Sequence, residues 1–235
     1  MKKRLKIDGI IIFCAFVVMM LFPSLFFRRD KITSLDQAAE MFGVALILLG
    51  QILRVSARGF KSENSLNGHS LIQGGPYSFV RNPMYLGIAL IGLGVGLVLF
   101  NGVVLCIVLL VLLIRYMLLI FKEEKKLKEA FPREYISYQT RVPRLMPSMS
   151  SLLDRDISEY LPLKLVWFKK EIGPILAVLL ITLFCETWED VVNKGIAVYF
   201  KEVVLYLAII VLFSGMVIYL ARRRSEIERD AANKG

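Results

Sequence analysis

Histidine is almost missing from this chain: 235 residues contain one, His69. Cysteine is scarce as well, with Cys14, Cys106 and Cys185 each alone in a different apolar run, no CxxC pair and no histidine close by. That pattern gives neither a metal centre nor a disulfide framework, and the three thiols read as small apolar packing residues. Short internal repeats and low-complexity segments are lacking too. So is any basic soluble domain: the net charge is +10 and the pI about 9.6, but the lysines and arginines flank apolar runs. Such charge sets topology and attracts anionic headgroups, and nucleic-acid binding is excluded. Ionisable side chains cluster at the edge of the apolar runs rather than midway along them, which argues against a transporter.

What the chain has in abundance is apolar sequence: 56% of its residues are hydrophobic and the mean hydropathy is +0.60. Crossing a bilayer takes about 20 such residues in a helix, and only helices or closed barrels satisfy a backbone in lipid. About six spans are expected, at 9–27, 38–55, 84–100, 102–121, 172–190 and 202–221. The fold class is therefore all-α, a polytopic integral membrane protein. MKKRLK ahead of the first run resembles a signal peptide's basic start, but no small-residue cleavage site follows, so the run reads as a retained helix.

Orientation follows from short-loop lysines and arginines. Lys2, Lys3, Arg4 and Lys6, then Arg58, Lys61 and Arg81, then seven cations from Lys122 to Arg144, then Arg222 to Arg224, all fall on one side if six helices alternate. Arg28, Arg29 and Lys31 vote the other way, while the acidic Glu186, Glu189 and Asp190 suit the outside. Both termini are expected in the cytoplasm. Two parts are expected along the chain: a four-helix core, 1–147, and an extension, 148–235, with a linker, an interfacial anchor at Trp167-Phe168-Lys169-Lys170 and a last helix pair.

Polar chemistry concentrates in two places. GPYSFVRNPMYLG, 75–87, stands at the mouth of the third span, and KEEKKLKEAFPREYISYQTR, 122–141, follows the fourth. The only link between those spans is Phe100-Asn101-Gly102, a tight hairpin, so the start of one helix and the end of the other lie side by side. Arg81, Asn82 and Tyr85 are therefore expected near Glu123 and Glu124, as a polar constellation beside an apolar slot. Gly87, Gly92, Gly94 and Gly96 give the third span a surface open to close approach, the last three reading as helix packing. Pro83 suits a first helical turn. Taken alone, KEEKK after a span is a solvated helix end with i to i+4 pairing. Leu127, Ala130 and Phe131 extend it as a face resting on the bilayer, Pro132 breaks it or starts the next turn, and Glu134, Tyr135 and Tyr138 suggest a second short helix.

Together the two segments resemble the membrane methyltransferase family that includes isoprenylcysteine carboxyl methyltransferase and phosphatidylethanolamine N-methyltransferase. The shared pattern is G-P-Y, R-H-P-x-Y, E-E-x-x-L and a Y-x-x-Y segment ending near proline, here within 74–147. The resemblance implies S-adenosylmethionine in a cytoplasmic cofactor pocket after the hairpin of spans three and four, roofed by the segment after the fourth span. A lipophilic acceptor, either a membrane lipid or a prenylated substrate, would enter from the bilayer. Tyr77, Arg81, Asn82, Pro83, Tyr85, Gly87, Glu123, Glu124, Tyr135, Tyr138 and Arg141 fall on matching positions. The cofactor's carboxylate needs a cation, suiting Arg81, and its ammonium and ribose suit one glutamate each. The tyrosines suit the adenine face or the sulfonium. Catalytic assignments fall to Arg81, Asn82 and Arg141, the last orienting an acidic substrate; no metal is implied.

One departure from the family pattern is Asn82, where histidine is usual. Asparagine hydrogen-bonds but is no general base. An ionised carboxylate acceptor needs none, whereas an ammonium must lose a proton, so the tilt is toward carboxylate or thiolate acceptors. His69 reads as a solvated loop residue rather than a substitute base. Two alternatives stay open. Membrane sterol reductases share R-H-P-x-Y-L-G and R-V-P and use NADPH, although the E-E-x-x-L form fits them less well. A non-catalytic lipid- or partner-binding member of the fold is the other. No motif bears on oligomeric state.

Overall fold

The computed structural model describes residues 18–19, 21–27, 34–65, 70–147 and 161–194, with isolated positions between 204 and 222. The described elements are helices: α1 Pro23–Phe26, α2 Ser34–Asn64, α3 Pro76–Phe79, α4 Pro83–Leu99, α5 Gly102–Ala130, α6 Pro132–Arg141 and α7 Leu165–Lys194. Among the described residues the one β contact is an isolated antiparallel bridge, Phe27 to Phe100. The expected first and sixth spans, Cys14, His69, the cations Arg28, Arg29 and Lys31, and the linker up to residue 160 lie wholly or largely outside the described residues.

Among the described residues two helices are long and apolar enough to cross a membrane, Ala38–Asn64 and Gly102–Ala130; Pro83–Leu99 is a shorter apolar helix. Burial separates the two long ones. Only 6% of the most apolar stretch of α5 is buried inside the protein, against 44% for α2. Along α5, Val103, Ile107, Leu110, Val111, Ile114 and Leu118 are all exposed. An apolar helix with so little protein cover has the surface of a lipid-facing span rather than of a soluble core.

The α4–α5 hairpin is as tight as the sequence implies. Asn101 caps α5, its side chain accepting from the Val104 amide at 3.0 Å and donating to the Leu25 carbonyl at 2.9 Å. Its own amide donates to Phe26 at 3.0 Å, so α1 pins the hairpin tip. At the other end Phe131 closes α5 and precedes α6, where Pro132 takes the first turn that needs no amide donor.

Glycine determines how α2 meets α4. A Cβ on Gly50 would lie 2.6 Å from the Gly87 carbonyl oxygen, and one on Gly87 would lie 2.8 Å from that of Gly50. Gly43 and Gly94 stand in the same reciprocal relation one heptad away on both helices. Two matched pairs, numbered in opposite directions, make an antiparallel seam at backbone contact, which only glycine permits. Gly92 and Gly96 instead face Leu112 and Leu105 of α5.

Two expectations change. The second span was expected to end near 55, yet α2 continues as helix to Asn64. No proline intervenes, and Arg54 and the half-exposed Arg58 both pair with Glu171 of α7, at 3.4 and 2.8 Å. Trp167 and Phe168, expected as an interfacial anchor, are 3% and 8% exposed within the protein. The indole packs on Gly59 and donates to Glu63 at 2.7 Å, and Lys164 bonds the same carboxylate at 2.7 Å. Ser56 adds a buried bond to the Pro162 carbonyl. The extension is thus latched to the polar end of α2.

Candidate functional site

At the polar mouth of the α4–α5 hairpin the chain buries a carboxylate. Glu124, on the stretch of α5 beyond its apolar run, is 8% exposed, and Asn82, which precedes α4, is also 8% exposed. Asn82 does not cap its own helix with its side chain. Its Nδ2 donates instead to Glu124 Oε1 at 3.1 Å and to the Arg144 carbonyl at 3.3 Å. Arg144 holds both carboxylate oxygens, Nε at 3.2 and 3.1 Å and Nη2 at 3.0 Å. Arg81 Nη1 stands further off, 3.5 Å from Oε1. A buried carboxylate is stable only when paired and hydrogen-bonded, and this one is both.

The segment after α6 is brought here by backbone and by rings. The Arg81 amide donates to the Pro143 carbonyl at 2.8 Å. The Arg144 guanidinium lies 4.7 Å from the Phe121 ring centroid. Its bonds to Glu124 push its basicity above the ordinary arginine range. α6 lies over the site through two tyrosines, 2% and 3% exposed, whose rings meet edge to face at 6.1 Å. Tyr138 donates to the Tyr77 carbonyl at 2.6 Å, and Tyr77 to the Ala57 carbonyl at 3.4 Å, linking α6 to α3 and α3 to α2. Burial holds both phenols well above the usual tyrosine range.

Two polar atoms in this cluster are buried without a hydrogen-bond partner: Arg81 Nε and Tyr135 Oη. Burial raises the Tyr135 hydroxyl's pKa, the Glu124 charge adds to it and the Arg81 charge opposes it. Arg81 stands close enough to act on the Tyr135 hydroxyl, yet its Nε completes no hydrogen bond; an unmet buried donor is costly, so this is a place where an acceptor is wanted. Glu123 differs from Glu124 in every respect: it is exposed, and its charge acts on the Tyr77 and Tyr85 phenols. Tyr85 also packs on Tyr116, ring centroids 5.7 Å apart.

The structure therefore brings Arg81, Asn82, Glu124 and Tyr135 into one cluster, with Tyr77 and Tyr138 behind it and Glu123 and Tyr85 along its rim. Pro83 is buried at the start of α4, and Gly87 faces Gly50 on the seam. Arg141 stands apart from Glu124: exposed, it bonds Gln73 Oε1 and the Ser137 carbonyl, both at 3.2 Å. Sequence reasoning missed Arg144, read only as a topology charge. A usable signal was its place in RVPRLMP, three residues past the end of the tyrosine helix and so beside the carboxylate that helix covers. Among the described residues no group of His, Cys, Asp and Glu could hold a metal ion.

Comparison with known proteins falls on this region. Residues 38–134 match the family model described as phospholipid methyltransferase. Protein-S-isoprenylcysteine O-methyltransferase of Saccharomyces cerevisiae is 34% identical over 133 residues, 52% of this chain and 54% of that protein. Protein-S-isoprenylcysteine O-methyltransferase B of Arabidopsis thaliana is 32% identical over 114 residues, 45% and 58%. Cobalt-zinc-cadmium resistance protein CzcN of Cupriavidus metallidurans is 29% identical over 142 residues, 57% and 62%. The chain thus spans between half and two thirds of the length of these relatives. No solved structure matches it.

Proposed function

We propose, from the match of residues 38–134 to the phospholipid methyltransferase family, that the protein is a membrane methyltransferase using S-adenosylmethionine on a lipophilic acceptor. The observation that carries this reading is the neighbouring pair Arg81 and Tyr135 at the mouth of the hairpin, whose buried Nε and Oη complete no hydrogen bond. They fit a small anion such as the cofactor's amino-acid carboxylate. The exposed Glu123, beside Tyr77 and Tyr85, is the acid open to its ammonium or ribose, and these rings offer faces for the adenine or sulfonium. When bound, the cofactor supplies an electrophilic methyl group.

The protein's own part is positioning and exclusion of water. Arg81 and Tyr135 orient, α6 roofs, and the apolar flank of α4 and α5 receives the acceptor's hydrocarbon. Asn82 offers no base, both its donors being committed to Glu124 and to the Arg144 carbonyl, and the Glu124 oxygens are already met by Asn82 and Arg144. That suits an acceptor already ionised, and the names of the yeast and Arabidopsis relatives favour a prenylated cysteine carboxylate over an amine. In this reading the chain is multi-pass with about six spans and cytoplasmic termini, the 1–147 core holds the site, and the 148–235 extension braces α2.

The test is calorimetric titration of the purified full chain with S-adenosylhomocysteine and NADPH side by side, then methyl transfer to an S-prenylated cysteine and to phosphatidylethanolamine. Binding of the homocysteine product that weakens in Arg81→Ala, with transfer to the carboxylate, supports the proposal. NADPH binding alone points to reduction, and binding of neither points to a non-catalytic member of the fold.

A further inference from the structure

Glu124 meets more positive charge than it needs. Two arginines converge on one carboxylate, and they do not share it equally. Arg144 occupies both oxygens, Nε on Oε1 and Nη2 on Oε2, in the bidentate geometry that planar guanidinium and carboxylate groups favour. Asn82 fills a further lone pair at 3.1 Å. Arg81, 11% exposed along its side chain, is left with a single 3.5 Å approach and a buried Nε that bonds nothing. Arg144 is part-exposed, whereas Arg81 is buried beside the buried Glu124; without Arg144 that acid and base would close on one another.

Arg144 is itself well fixed. Phe121 lies under its guanidinium, its carbonyl accepts from Asn82, and the residue before it, Pro143, accepts the Arg81 amide. The same short segment thus ties down the Arg81 backbone while competing with the Arg81 side chain for Glu124.

We propose that Arg144 is a positioning residue: by occupying Glu124 it holds the Arg81 guanidinium to a single 3.5 Å approach and leaves its Nε free for the cofactor's carboxylate. The inference rests on the function proposed above and goes beyond it, since it makes Glu124 a strut between two arginines rather than a cofactor ligand.

The experiment compares two probes, S-adenosylhomocysteine and 5′-methylthioadenosine, which lacks the amino-acid moiety, on the full chain in detergent. Arg144→Gln should weaken the first about 10-fold, the worth of one charge-assisted contact, and leave the second within about 2-fold. Adding Glu124→Gln should restore the first to within about 3-fold of wild type, because Arg81 then has no acid to close on. If Arg144→Gln does not fold, Arg144→Lys, which keeps the charge and loses the fork, carries the same comparison. Equal weakening of both probes makes Arg144 merely structural and overturns the proposal, as does no weakening at all. Selective weakening that the double variant fails to recover also overturns it, and would mean that Arg144 meets the ligand directly. Failure of the wild-type protein to bind either probe overturns the methyltransferase reading, and this inference with it.

Discussion

Asn82 Nδ2 and Glu124 Oε1, 42 positions apart in sequence, lie 3.1 Å apart in a buried hydrogen bond across the mouth of the α4–α5 hairpin. Asn82→Asp changes almost no volume, yet it removes both donors and sets a second carboxylate against the first. Two buried acids at that distance cannot both ionise. We expect a loss of about 1–3 kcal/mol in stability, measured by thermal unfolding in detergent, and weaker cofactor binding. An unchanged melting temperature would mean the bond is not maintained in solution.

Gln51, wholly buried on α2, has neither amide atom hydrogen-bonded. Gln51→Met keeps the shape and removes the unsatisfied dipole, so the variant should gain about 1–3 kcal/mol. A lower melting temperature would show that the amide has a partner after all.

The glycine seam gives a comparison inside one protein. Gly94→Ala pushes a methyl group into the Gly43 carbonyl and should cost about 1–3 kcal/mol, while Gly102→Ala meets nothing within 4 Å and should be neutral or slightly stabilising. Equal effects would contradict the close approach of α2 and α4.

Glu171 joins Arg54 and Arg58 to α7. Glu171→Ala leaves two arginines without their acid and should speed limited proteolysis near residue 160 several-fold, since breaking a buried pair is costly. Wild-type resistance would mean that Trp167 and its bond to Glu63 suffice to hold the extension.

Burial raises Tyr77, Tyr135 and Tyr138 above the ordinary value of 10.0. A raised folded-state value means stability intact below pH 10 and eroded as pH climbs through the shifted values. Tyrosinate absorbance should therefore rise in step with loss of helicity, and Tyr138→Phe should blunt the alkaline transition.

How much of this was legible beforehand depends on where the signal lay. The Asn82–Glu124 meeting was readable because Phe100-Asn101-Gly102 is too short to allow any other arrangement of the helices it joins. The short tyrosine helix was readable from Pro132. Arg144 was not, because an irregular segment has no period to place its side chains, and a basic residue after a span looks like a topology charge. The length of α2 was misread for a related reason: Arg54 and Arg58 look like solvated loop residues until a partner acid, more than 110 positions away, is found. Trp167 carries the composition of an interfacial anchor, and only the bare surface of Gly59 reveals that it has a slot in the protein.

Consider α5 as a measuring rod. From Gly102 to Glu124 an unbroken helix rises about 33 Å at 1.5 Å per residue, close to the roughly 30 Å of a bilayer's hydrocarbon. The anchored carboxylate therefore emerges at the water boundary when Gly102 sits at the opposite one, and the height of the neighbouring arginines above the lipid is set by helix length rather than by loop conformation. In the proposed methyl transfer an acceptor would be selected first by depth: its reactive atom would have to rise to that level while its chain stays below.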